Sequence, residues 1–129
     1  NQFNYYTDAQ SLLDKVSQQN EIEDYKLEDD IVKLLKEENW GRYADKKTGD
    51  MHLCFISDND ITGGNSGSPM FNGKGELIGL AFDGNWEAMS GDISFDKSLQ
   101  RCIGVDIRYV LYLMEKWGGA DNLIKELGY

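Results

Sequence analysis

The sequence predicts an α+β fold in which helices open the chain, strands follow and helices close it. Three observations predict this order. Apolar residues recur at helical spacing before residue 40, alternate or cluster in short runs between residues 51 and 107, and return to helical spacing after residue 107. Hydrophobic residues make up 40% of the 129 residues, so the chain can form one small domain with a real core.

The N-terminal part of the chain, residues 1–45, is expected to be mainly helical. Thr7 and Gln10 have the spacing of a capping box, in which two side chains satisfy the first backbone N–H groups of a helix. The apolar residues that follow predict a helix over 8–19. A second amphipathic helix is predicted over 27–38.

The middle part, residues 46–107, is expected to hold the strands and a glycine-rich loop. Runs rich in β-forming residues predict four strands, over 51–57, 67–71, 76–82 and 101–107. The letters NGKG between the second and third strands are a hairpin turn signal. Residues 83–100 are predicted to be one long loop, and long ordered loops in compact domains are usually functional.

The C-terminal part, residues 107–129, is expected to form two helices. Asp106 can cap the first of them, and Gly118 with Gly119 is expected to end it. The stripe expected to be buried consists of Ile107, Val110, Leu111, Met114 and Trp117. A short last helix fits the apolar spacing of Ala120, Leu123, Ile124 and Leu127.

The formal net charge of −10 argues against several classes of partner, although a solvated acidic surface is its simplest explanation. So acidic a chain repels phosphate backbones and anionic lipid, so we expect neither nucleic acid nor a membrane surface as partner. No apolar run approaches the length that spans a bilayer, and the first residues lack the pattern of a secretion signal. Because the chain does not begin with Met, we expect a piece of a longer protein.

Two cysteines, Cys54 and Cys102, cannot form a metal site on their own, and we expect no metal. Their pairing stays open, because the sequence does not show whether their Cα atoms come within about 7 Å of each other. Both lie in apolar runs, where a free cysteine behaves as a small hydrophobic residue. Buried thiols are therefore favoured over a disulfide.

The stretch TGGNSGSP, residues 62–69, is the candidate for chemistry. A serine hydroxyl becomes a useful nucleophile when a base takes its proton and two backbone N–H groups wait for the developing oxyanion. Glycine allows the sharp curl that turns two N–H groups toward one point, here those of Gly64 and Ser66. Composition alone favours an ordinary surface loop. A phosphate-binding loop is disfavoured, since no lysine follows the glycines.

The motif GNSGSP, followed by a strand, a glycine turn and LIGLAF, resembles the nucleophile motif of chymotrypsin-like serine peptidases. The longer string NDITGGNSGSPMFNGKGELIGLAFDGNWEAMSGD, the string RCIGVDIRYVLYLMEKWGGADNLIKEL and WGRYAD at 40–45 are similar to one branch, serine-peptidase family forty-six. That branch contains the bacterial dipeptidyl-peptidases 7 and 11. The resemblance covers most of residues 40–127 and implies a partial chymotrypsin-like second β-barrel of about four to five strands, flanked by helices.

The resemblance also implies roles for four residues. Ser66 matches the catalytic nucleophile, and the N–H groups of Gly64 and Ser66 match the oxyanion hole. Asp83 matches a carboxylate that binds the free α-amino group of the substrate, which is a charge-assisted hydrogen bond suited to an exopeptidase. Gly84 matches the position that governs the first specificity pocket, where glycine implies a preference for apolar side chains. Without the resemblance, Asp83 and Gly84 read as turn residues.

The resemblance implies a dipeptidyl-peptidase that removes dipeptides from the free N-terminus of peptides, without metal or organic cofactor. Its catalytic His and Asp are expected from an upstream barrel. His52, the single histidine, is expected to be a half-exposed strand residue and not the general base. We therefore interpret the chain as the C-terminal segment of a longer enzyme, inactive by itself. The alternative is a non-catalytic peptide-binding module with the same barrel.

Expectations about assembly and location come from the same resemblance. The complete protein is expected to be a homodimer in the periplasm, at the cell surface or secreted. The isolated segment is expected to self-associate, because barrel strands without their partners leave exposed edges.

Overall fold

The computed structural model describes residues 5–18, 22–23, 26–90 and 98–129. Two helices precede four of the strands and two helices follow them, which confirms the predicted α+β class, but a short strand that was not predicted comes before the first helix. The elements, in chain order, are β1 Tyr6–Asp8, α1 Ala9–Gln18, α2 Asp29–Lys36, β2 His52–Ser57, β3 Pro69–Phe71, β4 Leu77–Gly84, β5 Cys102–Asp106, α3 Ile107–Lys116 and α4 Asp121–Glu126. Short 3₁₀ helices cover Gly41–Tyr43 and Trp86–Ser90. Within the described ranges no helix combines the length and the apolar character needed to cross a bilayer.

The five strands form one sheet in the order β1-β2-β5-β4-β3. Strands β2 and β5, β5 and β4, and β4 and β3 pair antiparallel. The predicted hairpin between β3 and β4 is confirmed, since Asn72 N donates to Glu76 O at 3.0 Å and Gly75 N to Asn72 O at 3.0 Å. The sheet does not decide whether these strands close into the chymotrypsin-like barrel, which stays a prediction.

The chain divides into two compact units. The sheet unit contains residues 1–6 and 53–107, and the helical unit contains residues 7–52 and 108–129. In the sheet unit, a small core is formed by Met70, Ala81 and Cys102, with Phe55, Ile61 and Ile78 packed against it. Gly104 leaves room for this packing, because a Cβ there would lie 2.5 Å from Met70 Sδ.

Aromatic rings form the centre of the helical unit. Trp40 and Tyr43 both meet the fully buried Tyr112 of α3 edge to face, at ring-centroid distances of 5.5 and 6.1 Å. The Tyr43 hydroxyl donates to the Glu115 carboxylate, and this hydrogen bond is the main cause that lowers the pKa of Glu115 to about 2. Leu35 is also fully buried in this unit.

Two ion pairs join the WGRYAD segment to α3. Arg42 Nη2 lies 3.1 Å from Glu115 Oε2, and Arg108 Nη1 lies 2.9 Å from Asp45 Oδ2. The Arg108 guanidinium holds the pKa of Asp45 well below its usual range. Together with the aromatic contacts, these pairs give the WGRYAD segment a structural role: it fixes the loop after α2 against α3.

Several predicted boundaries and caps were wrong in detail. Thr7 lies in β1 and does not form the expected capping box. Instead, Asp8 Oδ1 accepts from Ser11 N at 2.8 Å and from Ser11 Oγ at 2.6 Å, so Asp8 caps α1. Gln10 donates to Asp14 Oδ1 at 2.7 Å. The second helix is shorter than predicted and covers Asp29–Lys36.

The buried stripe predicted for α3 was only partly right. Leu111 is buried, as expected, but Trp117 is exposed. In α4, Ile124 is buried, whereas Leu123 and Leu127 are exposed. Tyr112, which the stripe omitted, is buried because it packs against the aromatic rings described above. The glycine stop of α3 is confirmed: Gly119 has φ +59°, and the N–H groups of Gly118 and Ala120 donate back to carbonyls of α3.

The exposure of His52 and the state of the two cysteines were also predicted from the sequence. His52 was expected to be half exposed, but it is 7% exposed because the alternation of buried and exposed positions fails at the start of β2. Cys54 and Cys102 carry thiols and form no disulfide, as predicted, although Cys54 is only half-buried. Burial raises the pKa of the Cys102 thiol.

Candidate active site

The loop 62–68 is curled by the side chain and backbone of Asn65. Asn65 Oδ1 accepts from Thr62 N at 2.9 Å, and Asn65 N donates to Thr62 O at 3.1 Å. Ser68 N donates to Asn65 O at 2.9 Å, which closes the next turn. Gly64 and Gly67 have φ values of +95° and +85°, which side chains rarely adopt. The glycine-rich composition is therefore required by the backbone path.

Two backbone hydrogen bonds fasten this loop to β4. Gly67 N donates to Ala81 O at 2.7 Å, and Ala81 N donates to Ser68 O at 2.9 Å. Ser66 is exposed, and its hydroxyl makes one long contact, 3.4 Å to Phe82 O. Among the described residues, no carbonyl accepts from the N–H of Gly64 or Ser66. Both amides of the predicted oxyanion hole therefore lack a backbone partner in this part of the chain.

An irregularity in β4 brings consecutive residues to the same cleft. Ala81 pairs with Gly104 and Asp83 pairs with Ile103, so Phe82 is one extra residue in the ladder. Such a bulge breaks the regular alternation of strand side chains and can re-aim them. As a result Phe82, Asp83 and Gly84 all line one cleft.

This cleft has a volume of about 230 Å³ and lies within the sheet unit. It is lined by three of the predicted site residues, Ser66, Asp83 and Gly84. The other lining residues are Ile61, Thr62, Gly63, Phe82, Asn85 and Ala88. Gly64, the fourth predicted site residue, is not among the lining residues, although its neighbour Gly63 is. The described lining includes no lysine, arginine or histidine.

Asp83 is exposed, and its carboxylate is partly engaged by the chain itself. Its Oδ1 accepts from the N–H of Gly84 at 2.8 Å. A carboxylate has about four lone-pair positions, so this one bond leaves acceptor capacity for a cation in the cleft.

Four lining residues were not predicted from the sequence: Ile61, Phe82, Asn85 and Ala88. No local signal predicts the role of Asn85, because its side-chain partners lie 14 and 16 positions further along the chain. Its Oδ1 accepts from Arg101 N at 2.8 Å, and its Nδ2 donates to Leu99 O at 2.8 Å. Ala88 lies in the 3₁₀ helix Trp86–Ser90, inside the segment predicted to be one loop. The rest of that segment, residues 91–97, lies outside the described residues.

His52 belongs to the helical unit, where its Nε2 lies 3.3 Å from Thr48 Oγ1. Its side chain is therefore buried and in contact with a hydroxyl group of the same unit. Its predicted lack of a catalytic role stays a prediction.

With the cleft established, comparison with known proteins identifies the family. The family model described as Peptidase S46 matches residues 1–129. The chain belongs to the peptidase S46 family. This confirms the family resemblance inferred from the loop and its flanking strings.

Relatives in this family carry two kinds of name. The chain is 56% identical over 126 residues to Dipeptidyl-peptidase 7 of Porphyromonas endodontalis, which covers 97% of the chain and 15% of that protein. It is 42% identical over 126 residues to the Asp/Glu-specific dipeptidyl-peptidase of Porphyromonas gingivalis, covering 96% of the chain and 17% of that protein. The chain thus spans about a sixth of the length of these relatives.

A solved structure of similar fold is the crystal structure of Porphyromonas endodontalis DPP11 in complex with the dipeptide Arg-Glu. Its TM-score is 0.88 at 37% sequence identity, and the match covers 98% of the chain and 18% of that protein. DPP11 of the same organism in complex with substrate has the same TM-score and identity. The helices and the sheet described above are therefore a fold that S46 peptidases share.

Proposed function

We propose that the complete protein to which this sequence belongs is a serine-type dipeptidyl-peptidase that releases dipeptides from the free N-terminus of peptides. The observation that carries the proposal is the shared cleft: Ser66 and Asp83 line the same cavity of about 230 Å³. An exopeptidase needs both a nucleophile and a group that holds the substrate amine, at a fixed separation. Family membership supports the reaction class.

In this proposal Ser66 is the nucleophile. Its hydroxyl is exposed and makes only a 3.4 Å contact with Phe82 O, so it can rotate toward a base and toward the scissile carbonyl. The hydroxyl oxygen attacks that carbonyl, its proton passes to the base, and the leaving amine takes the proton as the acyl-enzyme forms. Water then hydrolyses the acyl-enzyme. The general base comes from outside the described cleft lining, which contains no histidine.

The N–H groups of Gly64 and Ser66 are the proposed oxyanion hole. Neither donates to a backbone carbonyl within the described residues, so each is available to a developing negative charge. The positive φ of Gly64 gives the loop the sharp curl on which such a hole depends. Removing one donor of an oxyanion hole typically costs about 10²–10³-fold in kcat.

Asp83 is the proposed anchor for the substrate's α-ammonium group. One carboxylate oxygen accepts from Gly84 N, and the remaining acceptor positions can bind the cation. Charge-assisted hydrogen bonds of this kind contribute more than neutral ones. The anchor fixes which peptide bond is cleaved, because a longer or shorter stretch between the bound α-amine and the scissile bond would move that bond away from Ser66.

We further propose that the residue next to the scissile bond is apolar. The described cleft lining has no cationic side chain to hold an acidic substrate residue, and Ile61, Phe82 and Ala88 are apolar. Gly84 leaves the cleft without a side chain at the position that governs this pocket by family resemblance.

The proposal is tested with a fluorophosphonate probe and dipeptidyl fluorogenic substrates on the complete protein. We expect labelling at Ser66, turnover of free-amine dipeptidyl substrates, and loss of both in Ser66→Ala. Ser68→Ala is the matched control, because it removes a hydroxyl from the same loop while keeping the Ser68 backbone bonds to β4. Labelling that persists in Ser66→Ala, or a labelled protein that turns over no peptide substrate, would contradict the proposal. A folded complete protein that is not labelled at all would instead favour a peptide-binding module.

Two broader proposals rest on the family resemblance alone. The complete protein works in the periplasm, at the cell surface or after secretion, and it forms a homodimer. Fractionation of cells and light scattering of the complete protein test them directly.

A further inference from the structure

The wall of the cleft around Gly84 has no room for a side chain. A Cβ placed on Gly84 would lie 2.7 Å from the Cβ of Ala88 and 3.3 Å from Cγ2 of Ile61. Carbon atoms in ordinary contact are about 3.5–4.0 Å apart, so both approaches are too close. The φ of Gly84 is not in the left-handed range, so packing and not the backbone excludes the side chain. Ala88 and Gly84 are therefore matched in size.

Ala88 lies on a segment that is fastened in several places. Asn85 bonds the backbone of the segment before β5 three times: its side chain contacts Arg101 N and Leu99 O, and its own N–H donates to Arg101 O at 3.0 Å. Gln100, which is 1% exposed, donates from Nε2 to Glu87 O at 3.1 Å. Ala88 N donates to Asn85 O at 2.9 Å. Because these bonds hold the 3₁₀ helix in place, Ala88 cannot retreat without breaking some of them.

We propose that Ala88 is a specificity-determining residue of this cleft, and that its methyl group, together with Ile61, limits the size of the substrate side chain that enters beside Gly84. This inference rests on the proposed function. All three residues line the cleft that also contains Ser66. In a cavity of about 230 Å³ with a fixed wall, each added carbon atom removes space that a substrate side chain would use.

The ratio of kcat/KM between substrates with large and small side chains measures how strongly Ala88 limits the cleft. One methylene more or less in an apolar pocket changes discrimination by about 10–200-fold. In Ala88→Val we therefore expect kcat/KM for substrates with Phe or Leu next to the scissile bond to fall at least about tenfold relative to the substrate with Ala there. In Ala88→Gly the same ratio moves the other way, toward the larger side chains.

The same geometry has a consequence for charge at position 84. A long side chain introduced by Gly84→Arg needs space that Ala88 occupies, so the acidic preference it confers should be stronger in the double variant Gly84→Arg/Ala88→Gly. In the single variant Gly84→Arg, the new side chain fits only if the 3₁₀ helix that carries Ala88 moves away.

The experiment uses the complete protein and a series of dipeptidyl substrates that differ only in the side chain next to the scissile bond: Ala, Leu and Phe. Ala120→Val is the matched control, because Ala120 is also half-buried but lies at the start of α4 in the helical unit and does not line the cleft. Fluorophosphonate labelling of Ser66 checks that each variant is folded and competent. Ala88→Gly, which only removes atoms, tests the inference even if Ala88→Val does not fold.

Phe-to-Ala ratios that shift in opposite directions in Ala88→Val and Ala88→Gly, and stay at the wild-type value in Ala120→Val, support the inference. Unchanged ratios in both Ala88 variants that still label and turn over substrate would overturn it while leaving the proposed function intact. Activity that survives Ser66→Ala would instead overturn the proposed function.

Discussion

Gly84→Ala adds a single methyl group at the tightest point of the cleft wall. The new Cβ would lie 2.7 Å from Ala88 Cβ, well inside the ordinary contact distance. Overpacking of this kind costs about 1–3 kcal/mol. Alanine also lowers the conformational entropy of the unfolded chain, which offsets about 0.4–1 kcal/mol of this cost because the φ of Gly84 is compatible with alanine. We expect a net loss of about 1–2 kcal/mol in the free energy of unfolding.

A double-mutant cycle isolates the contact with Ala88. In Gly84→Ala/Ala88→Gly the clashing methyl group is gone, and only the milder 3.3 Å approach to Ile61 Cγ2 remains. Residues in direct contact show coupling energies of about 0.5–3 kcal/mol, and we expect about 1–2 kcal/mol here. The double variant should therefore be more stable than the sum of the single effects predicts.

Urea denaturation followed by tryptophan fluorescence measures the four proteins of the cycle. Gly73→Ala is the matched control: its φ is not left-handed and a Cβ there meets nothing within 4 Å, so we expect no loss of stability. If Gly84→Ala and Ala88→Gly were additive, or if Gly84→Ala were as harmless as Gly73→Ala, the packing argument for this wall would be refuted.

Three further predictions concern the support of the site and the helical unit. Gly64→Ala should cost about 1–2 kcal/mol, because an alanine at φ +95° is strained, whereas Gly63→Ala should be near neutral; equal effects in thermal denaturation would count against the strain. Asn85→Ala should lose about 1–3 kcal/mol with its two side-chain hydrogen bonds, and Asn85→Asp, which keeps only the acceptor for Arg101 N, should fall between; a neutral Asn85→Ala in urea denaturation would oppose this. The pKa of Glu115 is lowered from 4.5 to about 2 in the folded protein. The ionised carboxylate therefore stabilises the folded state fully above about pH 4.5, and this contribution disappears as the pH falls toward 2. Glu115→Gln should therefore destabilise the protein at pH 7 and progressively less below pH 4.5, and a difference that is constant from pH 7 to pH 3 would contradict the assignment.

Local patterns predicted much of the fold because they depend on neighbouring residues. Helical spacing located α1 and α3, runs of β-forming residues located β2 and β5, and the letters NGKG located the hairpin. Burial of the helices was harder to predict, since it depends on distant partners. Trp117 has the right spacing for a buried stripe, yet Tyr112 takes the central place because Trp40 and Tyr43 pack against it.

One short motif predicted the curled loop and placed Ser66 at the candidate cleft, whereas the lining residues that strand pairing brings there were missed. The curl follows from the glycines of the loop, since Gly64 and Gly67 have positive φ values. The bulge at Phe82 depends on how β4 pairs with β5, and no local signal in β4 announces it. Ala88 is part of the cleft because hydrogen bonds from the segment before β5 hold its 3₁₀ helix, a contact between residues far apart in sequence.

The role of Asp83 as the amine anchor in the cleft of Ser66 is central to the proposed function, and one ratio of rate constants tests it. In the complete protein we would compare kcat/KM for a dipeptidyl substrate with a free α-amine and for its acetylated form, in the wild type, Asp83→Asn and the exposed-site control Asp58→Asn. A hydrogen bond to a charged group contributes about 1.5–3 kcal/mol, so the preference for the free amine should fall about 10–150-fold in Asp83→Asn alone. A preference that Asp83→Asn leaves unchanged would contradict the account.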